Sequence, residues 1–178
     1  IVFPIQILAE SVISLGNVAI SPDSDGIYRR LPLVFLYRGH WIPCLGLAAF
    51  RHISGNHPLV RTKDGLHMGG IRIPTDDQGN FLLSYYGGTT DFPRFSAFNV
   101  IQSFQALQEK GKPVYSPQVF REKIVFIGLT APGLLDLKPT PTRSVNPGIA
   151  IHATLVANLL QKDFRVRISS AAVFALAL

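Results

Sequence analysis

The residues best equipped for chemistry gather between Thr130 and His152. Asp136 is the carboxylate of this stretch, Thr130, Thr140 and Thr142 carry hydroxyls, and Gly148 opens a helix that holds His152 one turn in. As a binding site, the first amides at Gly148 receive an anion or a ligand carboxylate, because a helix start carries unpaired N–H groups and the positive end of its dipole. Asp136 and the threonines then supply oriented hydrogen bonds. As a plain connection, the same residues cap turns while the prolines stiffen the chain. His152 shares a helix side with Leu155, Val156 and Leu159. There a histidine is either a buried donor to a carbonyl or a group that titrates near neutral pH and senses it.

Nothing else in the chain points to catalysis or to a metal. There is no Gly-x-Ser-x-Gly elbow, no His-Glu-x-x-His and no phosphate loop ending in Gly-Lys-Ser/Thr. The five histidines, His40, His52, His57, His67 and His152, lack metal-ligand spacing. Asp23, Asp25 and Gly26 begin like a calcium loop, but Ile27, Tyr28 and Arg29 follow where oxygen ligands belong, so a tight turn is expected. Cys44 is the single cysteine, which excludes an internal disulfide and a multi-cysteine zinc site. Its apolar neighbours mark it as a buried, inert thiol. The expectation is no catalytic residue, no metal and no cofactor. Arg29 and Arg30 face opposite sides if they lie on a strand, so one of them is free to point inward and pair with a carboxylate such as Asp136.

Seventeen Lys and Arg against eleven Asp and Glu give a formal charge of +6. The cations are scattered, with no run interleaved with aromatics, so a solvated basic surface is expected and nucleic acid is not a partner. With 178 residues, 47 % hydrophobic and 16 % charged, the chain has material for one core and is not composed like a disordered segment. Ile1 in place of methionine, and an apolar end, are what cuts in a longer protein would leave.

The elements that must hold these residues follow from periodicity. Apolar residues at 5, 8, 9, 12 and 13 predict a helix over 5–15 with one buried face, and Asn17–Ile20 reads as a short strand. Pro22–Gly26 is a turn, and 27–37 is one arm of a hairpin turned by Arg38-Gly39. Residues 43–53 form an apolar helix. Ile71–Ile73 and Phe81–Tyr86 are strands around a turn at 74–79. Ser96 caps a helix over 97–110, whose apolar residues at 97, 98, 101, 104 and 107 make one face, stopped by Gly111. Lys123–Gly128 is a nearly continuous apolar run, expected to be a central strand buried on both faces. A long loop over 129–146 leads to a helix over 149–161 packed on the sheet. Ile168–Leu178 carries no charge, and at eleven residues it matches the first half of a membrane helix, which takes about 20.

Three stretches resemble the second type of CHASE domain. They are Gly16-Asn17-Val18 with Ser21–Pro32; Phe92-Pro93-Arg94-Phe95-Ser96 leading into Val100-Ile101; and Lys123–Gly128 with Thr130–Gly133, Asp136, Pro139–Pro141 and Pro147–Ala153. Their order and approximate spacing agree with that family across residues 16–153. The resemblance implies an extracytoplasmic sensory module of a bacterial receptor, followed by membrane helices and a cytoplasmic nucleotide cyclase, histidine kinase or serine/threonine kinase. It also implies that an N-terminal α/β portion of the module precedes this chain.

The expected fold is therefore a mixed α/β sheet with flanking helices and β-hairpins. The sensory domain is placed at 1–165, and a truncated transmembrane helix begins at 168–178. The expected function is sensing at the extracytoplasmic face of the cell membrane, with Thr130, Asp136, Thr140, Thr142, Gly148 and His152 as the ligand site. The stimulus is a small molecule or a protein, and a homodimer is compatible. The rival readings are a structural dimerisation module and a hydrolase-like or transferase-like enzyme using Asp136, His152 and a threonine.

Overall fold

A computed structural model of the chain describes residues 4–86, 92–130 and 136–166. Along the sequence run α1 (Gln6–Glu10), β1 (Arg30–Pro32), β2 (Val34–Tyr37), β3 (His40–Pro43), α2 (Leu45–Ile53), β4 (Leu59–Thr62), β5 (Gly65–Met68), β6 (Ile71–Ile73) and β7 (Asn80–Leu82). Then come α3 (Ala97–Gln108), a 3-10 turn (Pro117–Phe120), β8 (Leu137–Thr140), β9 (Arg143–Pro147) and α4 (Gly148–Gln161). The domain is mixed α/β, as expected, but its strands form small antiparallel sheets instead of one mixed sheet: β1–β7, β2–β3, β4–β5–β6 and β8–β9.

The core lies between α2, α4 and the inner sides of these sheets. Leu47 and Phe50 of α2 meet Ile151, Leu155 and Leu159 of α4, and Leu31, Leu33, Leu66, Met68, Ile73, Phe81 and Leu83 close the rest. Burial of each such side chain stabilises by about 1.5–3 kcal/mol. The two helices approach closely at Gly46, where an added Cβ would stand 2.8 Å from the His152 carbonyl oxygen and 3.1 Å from Leu155 Cδ2.

Turn chemistry was readable. Arg38 (φ 47°) and Gly39 (φ 81°) both take the left-handed conformation, the I′ geometry that matches strand twist, and set the register Tyr37↔His40 and Val34↔Pro43. The turn at 22–26 also forms: the Asp23 carbonyl accepts from Gly26 N–H, the Asp25 carboxylate accepts from Ile27 N–H at 3.1 Å, and Gly26 has φ 82°.

Several expectations are overturned. Lys123–Gly128 is not a strand. No backbone group of 124–130 makes a hydrogen bond among the described residues, Ile127 is 86 % exposed, and Phe126 alone of the run packs against the core. An apolar run has strand propensity, but a strand exists only where a neighbour supplies its backbone donors and acceptors. Residues 71–86 do not pair with one another: β6 joins β5, while β7 returns to β1 in the register Leu31↔Phe81. The loop expected over 129–146 contains the β8–β9 hairpin, with an irregularity between Lys138 and Thr140.

The helix over 5–15 shrinks to Gln6–Glu10, with Ile5, Leu8, Val12 and Ile13 exposed instead of buried. A helix of five residues gains little against the cost of nucleation when no partner covers its face. Asn17 makes only a parallel bridge to Cys44, donating to the Pro43 carbonyl and accepting from Leu45 N–H, both at 2.8 Å. α3 forms as predicted, and its apolar face is turned outward. Ser103 accepts a bond from Tyr115 N–H at 2.8 Å, while Phe98, Ile101 and Phe104 point outward. Ser96 stands at its N-cap without a side-chain bond. The 168–178 tail lies outside the described residues, and among those residues no helix is long and apolar enough to cross a membrane.

Candidate functional site

α4 owes its position to both faces of its sequence. Ile151, Leu155, Val156 and Leu159 are buried against the core, and Asn158, fully buried, makes the polar joint. Its Oδ1 accepts from Ser84 N–H, while its Nδ2 donates to the Ser84 carbonyl and to Tyr86 Oη, each at 2.9 Å. The side-chain amide thus takes the place of a neighbouring strand just beyond β7. The chain then turns at Lys162 (φ 54°), Phe164 stacks edge-on against Phe81 at 6.1 Å, and Arg165 Nε donates to Ser84 Oγ at 2.7 Å.

At the other end of α4, the Asp136 carbonyl accepts from Gly148 N–H at 2.8 Å, tying the entry of β8 to the helix start. The Asp136 carboxylate lies directly over the Gly148 Cα, so that a Cβ there would come within 2.9 Å of its Cγ. The chain's own Asp136 carboxylate thus stands at this helix start, where a carboxylate is favoured by the dipole. The Lys138 Nζ is 4.0 Å from Oδ1 and also 5.5 Å from the centre of the Tyr28 ring.

Beside Asp136 opens a cleft of about 280 Å³, lined by Val18, Leu45, Ile127, Gly128, Asp136, Gly148, Ile149 and His152. His152 is 1 % exposed. Its Nδ1 faces Gly46 N–H and must accept, so Nε2 carries the proton and points at the Val18 carbonyl, both at 3.4 Å. Burial pushes its pKa down, against smaller upward pulls from the Val18 carbonyl and Asp136. A neutral ring with both nitrogens committed to backbone is a structural group.

Of the six residues expected to form a site, Asp136, Gly148 and His152 come together in the cleft, and no threonine lines it. Thr140 is buried in the hairpin, its Oγ1 donating to the Arg143 carbonyl at 3.3 Å. Thr142 lies exposed in the β8–β9 turn, and Thr130 is exposed beyond Gly128. The apolar walls Val18, Leu45, Ile127 and Ile149 were missed, since single aliphatic residues far apart in sequence carry no signature. The glycines did carry one. A Cβ at Gly16 would stand 2.6 Å from Leu45 Cα, and one at Gly128 would stand 2.7 Å from Ile149 Cβ. Both mark close approaches around this cleft.

Both arginines pair with carboxylates, and the shared partner is Asp23. Asp23 bridges both, at 2.6 Å to Arg30 and 3.3 Å to Arg29, while Arg29 also meets Asp25 at 2.8 Å. Among the described residues neither pairs with Asp136. The Arg29 guanidinium, then Ile27 N–H, bring the Asp25 carboxyl down to about 2. Tyr28 N–H between them donates to the Pro139 carbonyl at 2.9 Å, fastening this turn to β8. Cys44 is fully buried, and loss of hydration raises its thiol to about 12. No group of three or more His, Cys, Asp or Glu among the described residues is placed to hold a metal.

Neither the curated proteins nor the solved structures contain a match to the chain. The family model of the CHASE2 domain matches residues 5–178, nearly its whole length. The chain belongs to the CHASE2 family, extracellular sensory domains of signalling receptors.

Proposed function

We propose that this chain is the extracytoplasmic sensory module of a bacterial transmembrane receptor, passing a stimulus through membrane helices to a cytoplasmic cyclase or kinase. The observation that carries this reading is the CHASE2 match over residues 5–178. The stimulus binds in the cleft beside Asp136, Gly148 and His152. The cleft favours binding over chemistry, because His152 is committed to backbone at both nitrogens and, among the described residues, no hydroxyl side chain lines the walls beside it. A general base must reach a proton on its nucleophile or substrate, and this ring has no free nitrogen to do so.

Topology is tested in cells carrying the intact receptor. Ser24→Cys places a thiol on an exposed turn, and native Cys44 is too buried to compete. Labelling of Ser24→Cys by a membrane-impermeant maleimide in intact cells is the expected result. Labelling only after lysis would refute the extracytoplasmic placement.

A second reading, self-association, is favoured by the outward face of α3, where Phe98, Ile101 and Phe104 are each more than half exposed. A patch of this kind on a soluble surface commonly marks an interface. Sedimentation equilibrium of the chain and of Phe104→Glu tests it: a dimer abolished by the substitution supports the reading, and a monomer for both sinks it.

A further inference from the structure

We propose that the cleft at the start of α4 takes a small organic ammonium ion with a hydrocarbon body, its charge received by Asp136 and its apolar part by Val18, Leu45, Ile127 and Ile149. This rests on the reading of the cleft as the ligand site and adds the chemical class of the ligand. Among the described residues its lining side chains are aliphatic apart from two, the Asp136 carboxylate and the His152 ring, and Gly128 and Gly148 add backbone. The ring is engaged at both nitrogens, by Gly46 N–H and the Val18 carbonyl, and offers a flat neutral surface. Gly148 N–H already bonds the Asp136 carbonyl. A ligand anion therefore meets an apolar wall and a like charge, the Asp136 carboxylate already lying against the helix start.

A cation meets the opposite situation. The side chain of Asp136 is 42 % exposed, and Lys138 reaches it at 4.0 Å, the limit of an ion pair, while also lying against Tyr28. The carboxylate thus keeps acceptor capacity on the side facing the cleft. The chain's formal charge of +6 opposes a cation from afar. At physiological salt, however, charges more than about 8 Å away are largely screened, and the nearest carboxylate decides. A volume of about 280 Å³ sits at the small end of ligand pockets. At roughly 30 Å³ per water-sized group it holds about nine non-hydrogen atoms.

The test titrates the 178-residue chain, followed by amide NMR, with three probes of similar size: 2-phenylethylamine, 2-phenylethanol and phenylacetate. The amine is expected to shift the amides of Gly128, Gly148 and His152, and to bind at least tenfold more tightly than the alcohol, with no shift from phenylacetate. Asp136→Asn is expected to remove the amine's advantage. Since that change also touches the helix start, Ile127→Lys serves as a second variant. Ile127 is 86 % exposed, so a lysine there is tolerated by the fold and places a rival cation at the cleft mouth. It is expected to weaken the amine at least fivefold more than it weakens the alcohol, which loses only the Ile127 wall. Equal binding of amine and alcohol at these amides would overturn the ammonium assignment while keeping the cleft as a site. Absence of shifts at these amides with every probe would overturn both.

Discussion

Replacing Asn158 with leucine keeps a branched side chain while deleting three hydrogen bonds at a fully buried position. Two of them serve the Ser84 backbone, whose N–H and C=O have no strand neighbour and would be left buried and unpaired. Each orphaned group costs about 1–3 kcal/mol. The Tyr86 hydroxyl keeps Gln161 Oε1 at 3.0 Å, so its loss is smaller. The sum is about 2–6 kcal/mol, set against the roughly 5–15 kcal/mol that holds a domain folded. At about 2–4 °C per kcal/mol for a domain of this size, the melting temperature drops by roughly 10 °C. Urea unfolding followed by circular dichroism measures it, with Ser84→Ala as the control. That variant loses only the Arg165 contact to Oγ and keeps the backbone pairing, so it should cost about 1 kcal/mol or less. A cost for Asn158→Leu below about 1 kcal/mol, or equal costs for the two variants, would refute the claim that this amide substitutes for a strand.

Three further outcomes follow from the packing and the charges. His152 has a folded pKa below its unfolded value, so the unfolded chain takes up a proton first as pH falls. Stability is complete above about pH 6.5 and declines below it by up to about 1.4 kcal/mol per pH unit, until the folded pKa is reached. Urea midpoints from pH 7.5 to 5 should show this slope, and His152→Gln should flatten it; an unchanged slope would assign it to other groups. Gly46→Ala ought to raise helix propensity by about 1 kcal/mol, yet its Cβ would press on the His152 carbonyl and on Leu155. Net destabilisation of about 1–3 kcal/mol is expected, and a higher melting temperature would show that the two helices yield. Cys44 should stay unreactive toward a disulfide reagent in native protein and react fully in urea, since its thiol is both buried and held protonated near neutral pH; fast native labelling would contradict that.

What the sequence disclosed was local. The turns at 22–26 and 38–39, and the helices α2, α3 and α4, follow from residues within a few positions of one another. The misreadings all concern partners. Residues 124–127 have the composition of a buried strand, and nothing in that composition says whether a neighbour is present to complete it. β7 pairs with β1 across about fifty residues because Leu31 and Phe81 share one core, a fact that alternation cannot encode. α3 offers the clearest case: its apolar stripe was read correctly as a face, while Ser103 and Tyr115 decided which side turned inward. In the cleft, the polar members Asp136, Gly148 and His152 were legible and the aliphatic walls were not, because specificity built from aliphatic shape leaves no motif.

The Leu31↔Phe81 pairing has a kinetic consequence. The β2–β3 and β4–β5–β6 units lie inside the loop it closes, and each can form within microseconds from short contacts. The core around them cannot close on that schedule, since Leu47 and Phe50 wait for Ile151, Leu155 and Leu159, more than a hundred residues further along. During synthesis at about 5–20 residues per second, that wait is at least several seconds. Over that interval the nascent chain has hairpins but no sealed interior, and so remains open to threading through a narrow export channel.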